Sequence, residues 1–465
     1  MVLNTYLLLS FYNSSFQRLI HLSSFIFHLS LFIMISLYIH IPFCASKCAY
    51  CSFNSTPTDS SDIIIDSYIE ALKKEINYYS ETLTDKTIKT LYFWWGTPSR
   101  IWVTRIIDII EYIAHKFDLE DLAELSIELN PYPEQEILAF VNILNKKYPK
   151  ISRLRYSFGI QSFDDEVLKL TWRAYSFGSI VEFLRALVHL KQDNNVFNFD
   201  FIAFGKFQIN KNWFKQLRHE FKREFLHKFL NSGYVDSISL YTIEGIKDQE
   251  VGTRNEVKGK INEAKRTSNM TQVSSPTSQK WFWSDEEIME EFLILKGMIE
   301  DAGFGRYEIS NFAQASKASI HNMVYRSMEP YIGIWISAAS FINGQWLMTN
   351  DKLLQQFKNP IPSGIRWTNT SDIKKYIEGI RIDESTVQTM NESDLLIEEF
   401  FLRLRTREGI ANFSKFIPLL VPNHQWLLDI YKKEWLVNFD WNKLQLTDLG
   451  MNVYNTMITD LLQKI

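Results

Sequence analysis

Six apolar runs between residues 36 and 244 constrain the fold most: SLYIHIPF from Ser36, TLYFWWG from Thr90, ELSIELNP from Glu124, RLRYSFGIQSF from Arg153, VFNFDFIAFG from Val196 and SISLYTIE from Ser237. Each is long enough for one strand. Between them lie stretches with helical spacing, such as Ile65, Ile69, Leu72 and Ile76 on one face. Strands that alternate with helices pair in parallel through crossovers, so the pattern predicts an α/β fold, a six-unit (β/α) barrel closed or partly closed. In such a barrel the chemistry gathers at the C-terminal ends of the strands.

The first of those ends carries YIHIPFCASKCAYC, which holds all three cysteines of the chain, Cys44, Cys48 and Cys51. An odd, clustered set excludes a secreted disulfide framework and suits a local metal or redox role in a reducing compartment, the cytoplasm. Thiolates at C-x3-C-x2-C spacing suit an iron–sulfur cluster with one iron left open, or zinc with His40 as the fourth ligand. His40 alternates along its strand with Tyr38, and there is no second cysteine pair. Ligand count and spacing therefore favour the cluster.

The remaining segments are less committed. Residues 1–33 are apolar, interrupted by His21, His28 and several serines, and Met34 is a candidate true start. Residues 34–345 are expected to form the barrel, with 246–283 as a polar insertion, and residues 350–465 a smaller helical, winged-helix-like domain. Ser284 with Glu287 suits a capping box, and Thr447 the cap of the last helix. A net charge of -4 offers no footprint for nucleic acid. Membrane association would come only through the first 33 residues or a partner.

The cysteine motif with an aromatic before its last cysteine resembles radical S-adenosylmethionine proteins. Together with GTPS, IELNP, FGIQSF, YEISNFA and HNMVY it is similar, over residues 36 to 465, to one branch of them: oxygen-independent coproporphyrinogen III oxidase and the heme chaperone family HemW. The resemblance implies a partial radical SAM barrel whose Cys44, Cys48 and Cys51 hold a [4Fe–4S] cluster with S-adenosylmethionine at the open iron. It places Tyr38, Tyr50, Trp95, Gly96, Thr97, Glu128, Gln161, Arg173 and Asp200 around that ligand, Glu128 on its ammonium and Arg173 on its carboxylate. Each also has an ordinary reading. Glu128 could cap a turn before Pro131, Arg173 could be a solvated helix charge, and Asp200 could close a loop.

His321, Asn322 and Tyr325 match an HNxxY signature associated with the chaperone, which implies heme as cargo, His321 as its iron ligand and an acceptor protein as partner. A buried, hydrogen-bonded structural role is the plain alternative for His321. Two further classes stay open: an enzyme that decarboxylates coproporphyrinogen III by radical chemistry, and an inactive relative. Ala339 stands where the family often has histidine.

Tryptophan is the last anomaly. Gly is 17 of 465 and Trp 13, against a usual Gly share of ~7%. Trp94, Trp95, Trp172 and Trp335 fall at positions that resemble family glycines, and Trp435 and Trp441 where a turn glycine is expected. A single repeated exchange predicts one cause: UGA codons that mean glycine, translated as tryptophan.

Overall fold

A computed structural model describes residues 34–44, 48, 51, 56–57, 62–95, 100–205, 223–243, 284–344, 363–420 and 424–461. Tyr50, Gly96, Thr97, the first 33 residues and the whole of the polar insertion 246–283 lie outside them.

The six runs are strands: β1 Ile35–Ile41, β2 Ile88–Trp95, β3 Glu124–Leu129, β4 Leu154–Gln161, β5 Asn195–Ala203 and β6 Ser237–Thr242. They pair in parallel in chain order. Beyond β6 come β7 Gly305–Arg306 and β8 Asn311–Ala313, and beyond β1 come β9 Tyr331–Ile334, β10 Ala339–Asn343, β11 Gly364–Thr368 and β12 Gln388–Met390. The sheet order is β12-β11-β10-β9-β1-β2-β3-β4-β5-β6-β8-β7, with β9 parallel to β1 and the outer pairs antiparallel. Among the described residues the two ends of the sheet are not hydrogen-bonded to each other, and the barrel is partial.

Strand alternation explains the interior. Leu37, Ile39, Leu91, Phe93, Leu125, Ile127, Phe158 and Phe199 are buried among the hydrophobic core residues, with the crossover helices Asp62–Thr82, Arg100–Lys116 and Glu134–Lys147. Ile65, Ile69, Leu72 and Ile76, the predicted apolar face, are all buried there. The opposite faces carry Ser36, Tyr38 and His40, Thr90 and Tyr92, Glu124, Ser126 and Glu128, Arg155 and Ser157, Asn198 and Asp200, and Ser237 and Ser239. Strand register sets these side by side. Strands of parallel sheets are usually apolar on both faces. A buried face that is polar in six successive strands is a lumen built to hold a polar ligand, since such groups are retained inside only with partners.

Sheet strands continue to Met390, past the residue-350 boundary read from sequence. A second core starts near Phe400 and includes Phe413, Phe416, Leu428, Leu444 and Met457. It combines the helices Glu392–Leu404, His424–Lys433 and Tyr454–Leu461 with an antiparallel three-stranded sheet. Ser284 and Glu287 form the expected capping box, and Thr447 caps the helix Asp448–Asn452.

Candidate cofactor site

Cys44 ends a two-residue strand that follows β1. The three cysteines form no disulfide and are partly buried, and the Cys51 N–H donates to the Cys48 carbonyl at 3.1 Å, folding the motif back on itself. Among the described residues no three His, Cys, Asp or Glu side chains close around a single metal ion. A four-iron cluster spreads its thiolate ligands over several irons and needs no such point, and three sulfurs without a disulfide fit that group.

Arg173 reaches the same place from 125 residues away, with Nη1 3.3 Å from Cys48 Sγ. It is not a solvated helix charge. Its Nε donates to the Tyr175 hydroxyl at 2.6 Å and its Nη2 to the Gly159 carbonyl at 2.9 Å and to Asn130 Oδ1. A guanidinium fixed on several sides beside Cys48 places a positive charge where an anionic ligand group can be held.

Glu128 and Asp200 face the lumen and sit within strands, which removes the turn and loop readings. Glu128 accepts from the Tyr92 hydroxyl. Burial, and next the Asp200 carboxylate, push its carboxyl up to about 7, against the pull of Tyr92, Arg155 and the Trp94 indole. Asp200 is also raised, chiefly by burial, although Ser157 Oγ at 3.0 Å and Asn198 Nδ2 at 2.8 Å donate to it. Gln161 ends β4 with a positive φ of 66° at the register shift between β4 and β5. Tyr38 Oη lies 2.9 Å from His40 Nδ1. Trp95 is placed only as the last residue of β2.

Sequence reading missed Arg155, 2% exposed, whose positive charge pulls both carboxyls downward and whose Nη1 donates to Ser126 Oγ at 3.2 Å. It missed Asn130 and Tyr175, which steady Arg173. The period-two pattern Arg155, Ser157, Gly159 was the available signal.

The sign of the Glu128 shift makes a prediction. A raised carboxyl contributes stability below its ordinary value of 4.5, and that contribution is lost as pH rises through 7. Glu128→Gln should therefore match the wild type near pH 5 and become the more stable of the two by about 2 kcal/mol at pH 8. Urea melts of the ligand-free proteins at both pH values check this; parallel curves would refute it.

His321 lies on the short helix Ile320–Arg326, fully buried. Its Nδ1 is 2.7 Å from Thr90 Oγ1 and its Nε2 2.8 Å from the Tyr325 hydroxyl. Thr90 gives its only hydroxyl proton to Ser36 Oγ, at 2.8 Å. The proton therefore sits on His321 Nδ1, and Nε2 accepts from Tyr325. Burial, with Arg155 nearby, lowers the imidazole to about 3, so it is neutral. Both nitrogens are engaged, and iron ligation by His321 in this arrangement would require Tyr325 to give way.

Residues 38–209 match the family model described as the Radical SAM superfamily. "Heme chaperone HemW" of Synechocystis sp. is 26% identical over 313 residues, 66% of each chain, so less than two thirds of that relative is spanned. "Heme chaperone HemW" of Lactococcus lactis is 23% identical over 444 residues, 91% of this chain and 97% of that one. In fold the chain is similar to coproporphyrinogen III oxidase (HemN) from Escherichia coli, with a TM-score of 0.62 at 18% identity, covering 92% of this chain and 89% of the other. Among the described residues no helix is long and apolar enough to cross a membrane. Residues 38–209 thus match the Radical SAM superfamily, and the chain as a whole is similar in sequence to heme chaperones named HemW and in fold to a coproporphyrinogen III oxidase.

Proposed function

We propose that this chain binds heme and passes it to an acceptor protein, and that it holds a [4Fe–4S] cluster on Cys44, Cys48 and Cys51 with S-adenosylmethionine beside it. The observation that carries the cofactor reading is Arg173 Nη1 at 3.3 Å from Cys48 Sγ, at the rim of a polar lumen. The heme reading is supported by relatives named as heme chaperones. When bound, the cluster would supply an open iron for the sulfonium ligand and a path for one electron. Arg173 would then hold the ligand carboxylate and Glu128 its ammonium, with Asp200 and Gln161 as further polar contacts. Tyr38, Tyr50 and the Gly96–Thr97 loop belong to the same proposed set.

His321 is the proposed heme ligand. Its protonated Nδ1 stays on Thr90, which fixes the ring and its tautomer, and the Nε2 lone pair exchanges the Tyr325 hydroxyl for iron. Heme titrations of the anaerobically reconstituted chain test this. His321→Ala should lose stoichiometric binding. Tyr325→Phe removes a competing hydrogen bond of ~1 kcal/mol and should tighten binding about fivefold. Loss of binding in Tyr325→Phe, or its retention in His321→Ala, would refute the ligand exchange. Formation of a vinyl product from coproporphyrinogen III would place the chain with the oxidase instead.

A further inference from the structure

A cavity of about 290 Å³ opens beside the lumen, between the outer strands and the helix Glu392–Leu404, lined by Tyr38, Tyr325, Arg326, Tyr331, Ala339 and Arg366 among others. Its wall is aromatic. Tyr325 and Tyr331 pack edge to face at 4.6 Å, and the Arg366 guanidinium stands 5.6 Å from the Phe341 ring centroid. Two cations therefore border a small, flat-sided space.

Both cations have acidic partners, and Arg366 also hydrogen-bonds the Tyr331 side chain. Arg326 Nη2 donates to Glu308 at 2.9 Å, and Arg366 pairs with Glu398. Arg326 Nε is buried and has no hydrogen-bond partner. An unmet buried donor costs about 1–3 kcal/mol, and a turn of the guanidinium toward an acceptor in the cavity would remove that cost. One wall of the cavity is a neighbour of the imidazole: Tyr325, which lines it, donates its hydroxyl to His321 Nε2 at 2.8 Å. Ala339, where the family resemblance expects histidine, leaves room on the β10 side.

We infer that this cavity is a subsite for the carboxylate-bearing edge of a flat aromatic ligand, with Arg326 and Arg366 as the carboxylate donors. On the heme reading proposed above, on which this assignment of the ligand rests, the edge is that of the propionates, and the macrocycle extends past Tyr325 toward His321.

The test compares hemin with its dimethyl ester, in which both carboxylates are blocked, on the reconstituted full-length chain. Hemin should bind about tenfold or more tightly than the ester, the range of one charge-assisted hydrogen bond. Ala339→Phe, which fills the cavity while leaving both arginines in the sequence, should reduce the difference to less than about twofold while keeping the cluster absorbance. Arg326→Gln should do the same by removing the donor. Equal affinities for the two ligands in the wild type, or a difference that survives Ala339→Phe, would overturn the subsite and leave heme binding standing. If neither porphyrin binds the wild type, the heme reading falls and this assignment falls with it.

Discussion

Trp335→Gly is expected to raise the midpoint of thermal unfolding by about 2–4 °C, the reverse of the usual outcome when a buried tryptophan is deleted. Three observations decide the sign. Trp335 has φ of 106°, a conformation open to glycine and strained for a bulky side chain. Its ring centroid lies 2.8 Å from that of Tyr68, whereas aromatic pairs pack at about 4.5–7 Å. The indole nitrogen is buried with no acceptor. Strain, overpacking and an unmet donor are each worth about 1–3 kcal/mol, and together they outweigh the burial gained. A lower midpoint in Trp335→Gly would show that the indole belongs in that core.

The same reasoning explains why tryptophan recurs. Eight described non-glycine residues have positive φ, and three of them are Trp172, Trp335 and Trp435, at 60°, 106° and 60°. All three were singled out from sequence as glycine positions. Trp94 differs: its strand backbone is ordinary, yet its indole hydrogen-bonds Glu128, the carboxylate proposed for the ligand ammonium. Glycine there would clear the lumen. UGA read as glycine accounts for the backbone at three positions and the obstructed carboxylate at a fourth, and UGG codons at 94, 95, 172 and 335 would refute it.

The second large effect concerns the cofactor. Cys48→Ser is expected to abolish cluster assembly, because three ligands are the minimum that still leaves one iron open. Arg173→Ala should keep the cluster and weaken S-adenosylmethionine binding about 10- to 100-fold, the value of one charge-assisted hydrogen bond. Both are best measured with glycine at 94 and 95, by iron analysis and equilibrium binding. An Arg173→Ala chain that binds the ligand normally would remove Arg173 from the proposed site.

The strands were legible because each run satisfies two periodicities at once, one apolar face toward the helices and one polar face toward the lumen. Glu128 and Asp200 were found because they interrupt apolar runs. Arg155 does the same between Leu154 and Tyr156, but a charge near a strand start reads equally well as solvent-exposed. Arg173 could be named only through the resemblance, since its approach to Cys48 depends on how β4 and the following helix fold back. The sheet beyond residue 350 was missed because its strands are short and antiparallel, and Ile365 and Trp367 become core residues only through pairing with β10. His321 was identified as notable, but its engagement by Thr90 and Tyr325 is a tertiary fact that no spacing encodes.

Iron and acid-labile sulfide, measured on oxygen-protected protein beside a Cys44→Ser, Cys48→Ser, Cys51→Ser triple variant, probe the cluster most directly. About four of each per chain are expected in the first and none in the second. A native chain without iron and sulfide, or a triple variant that retains them, would contradict the assignment of those three thiolates.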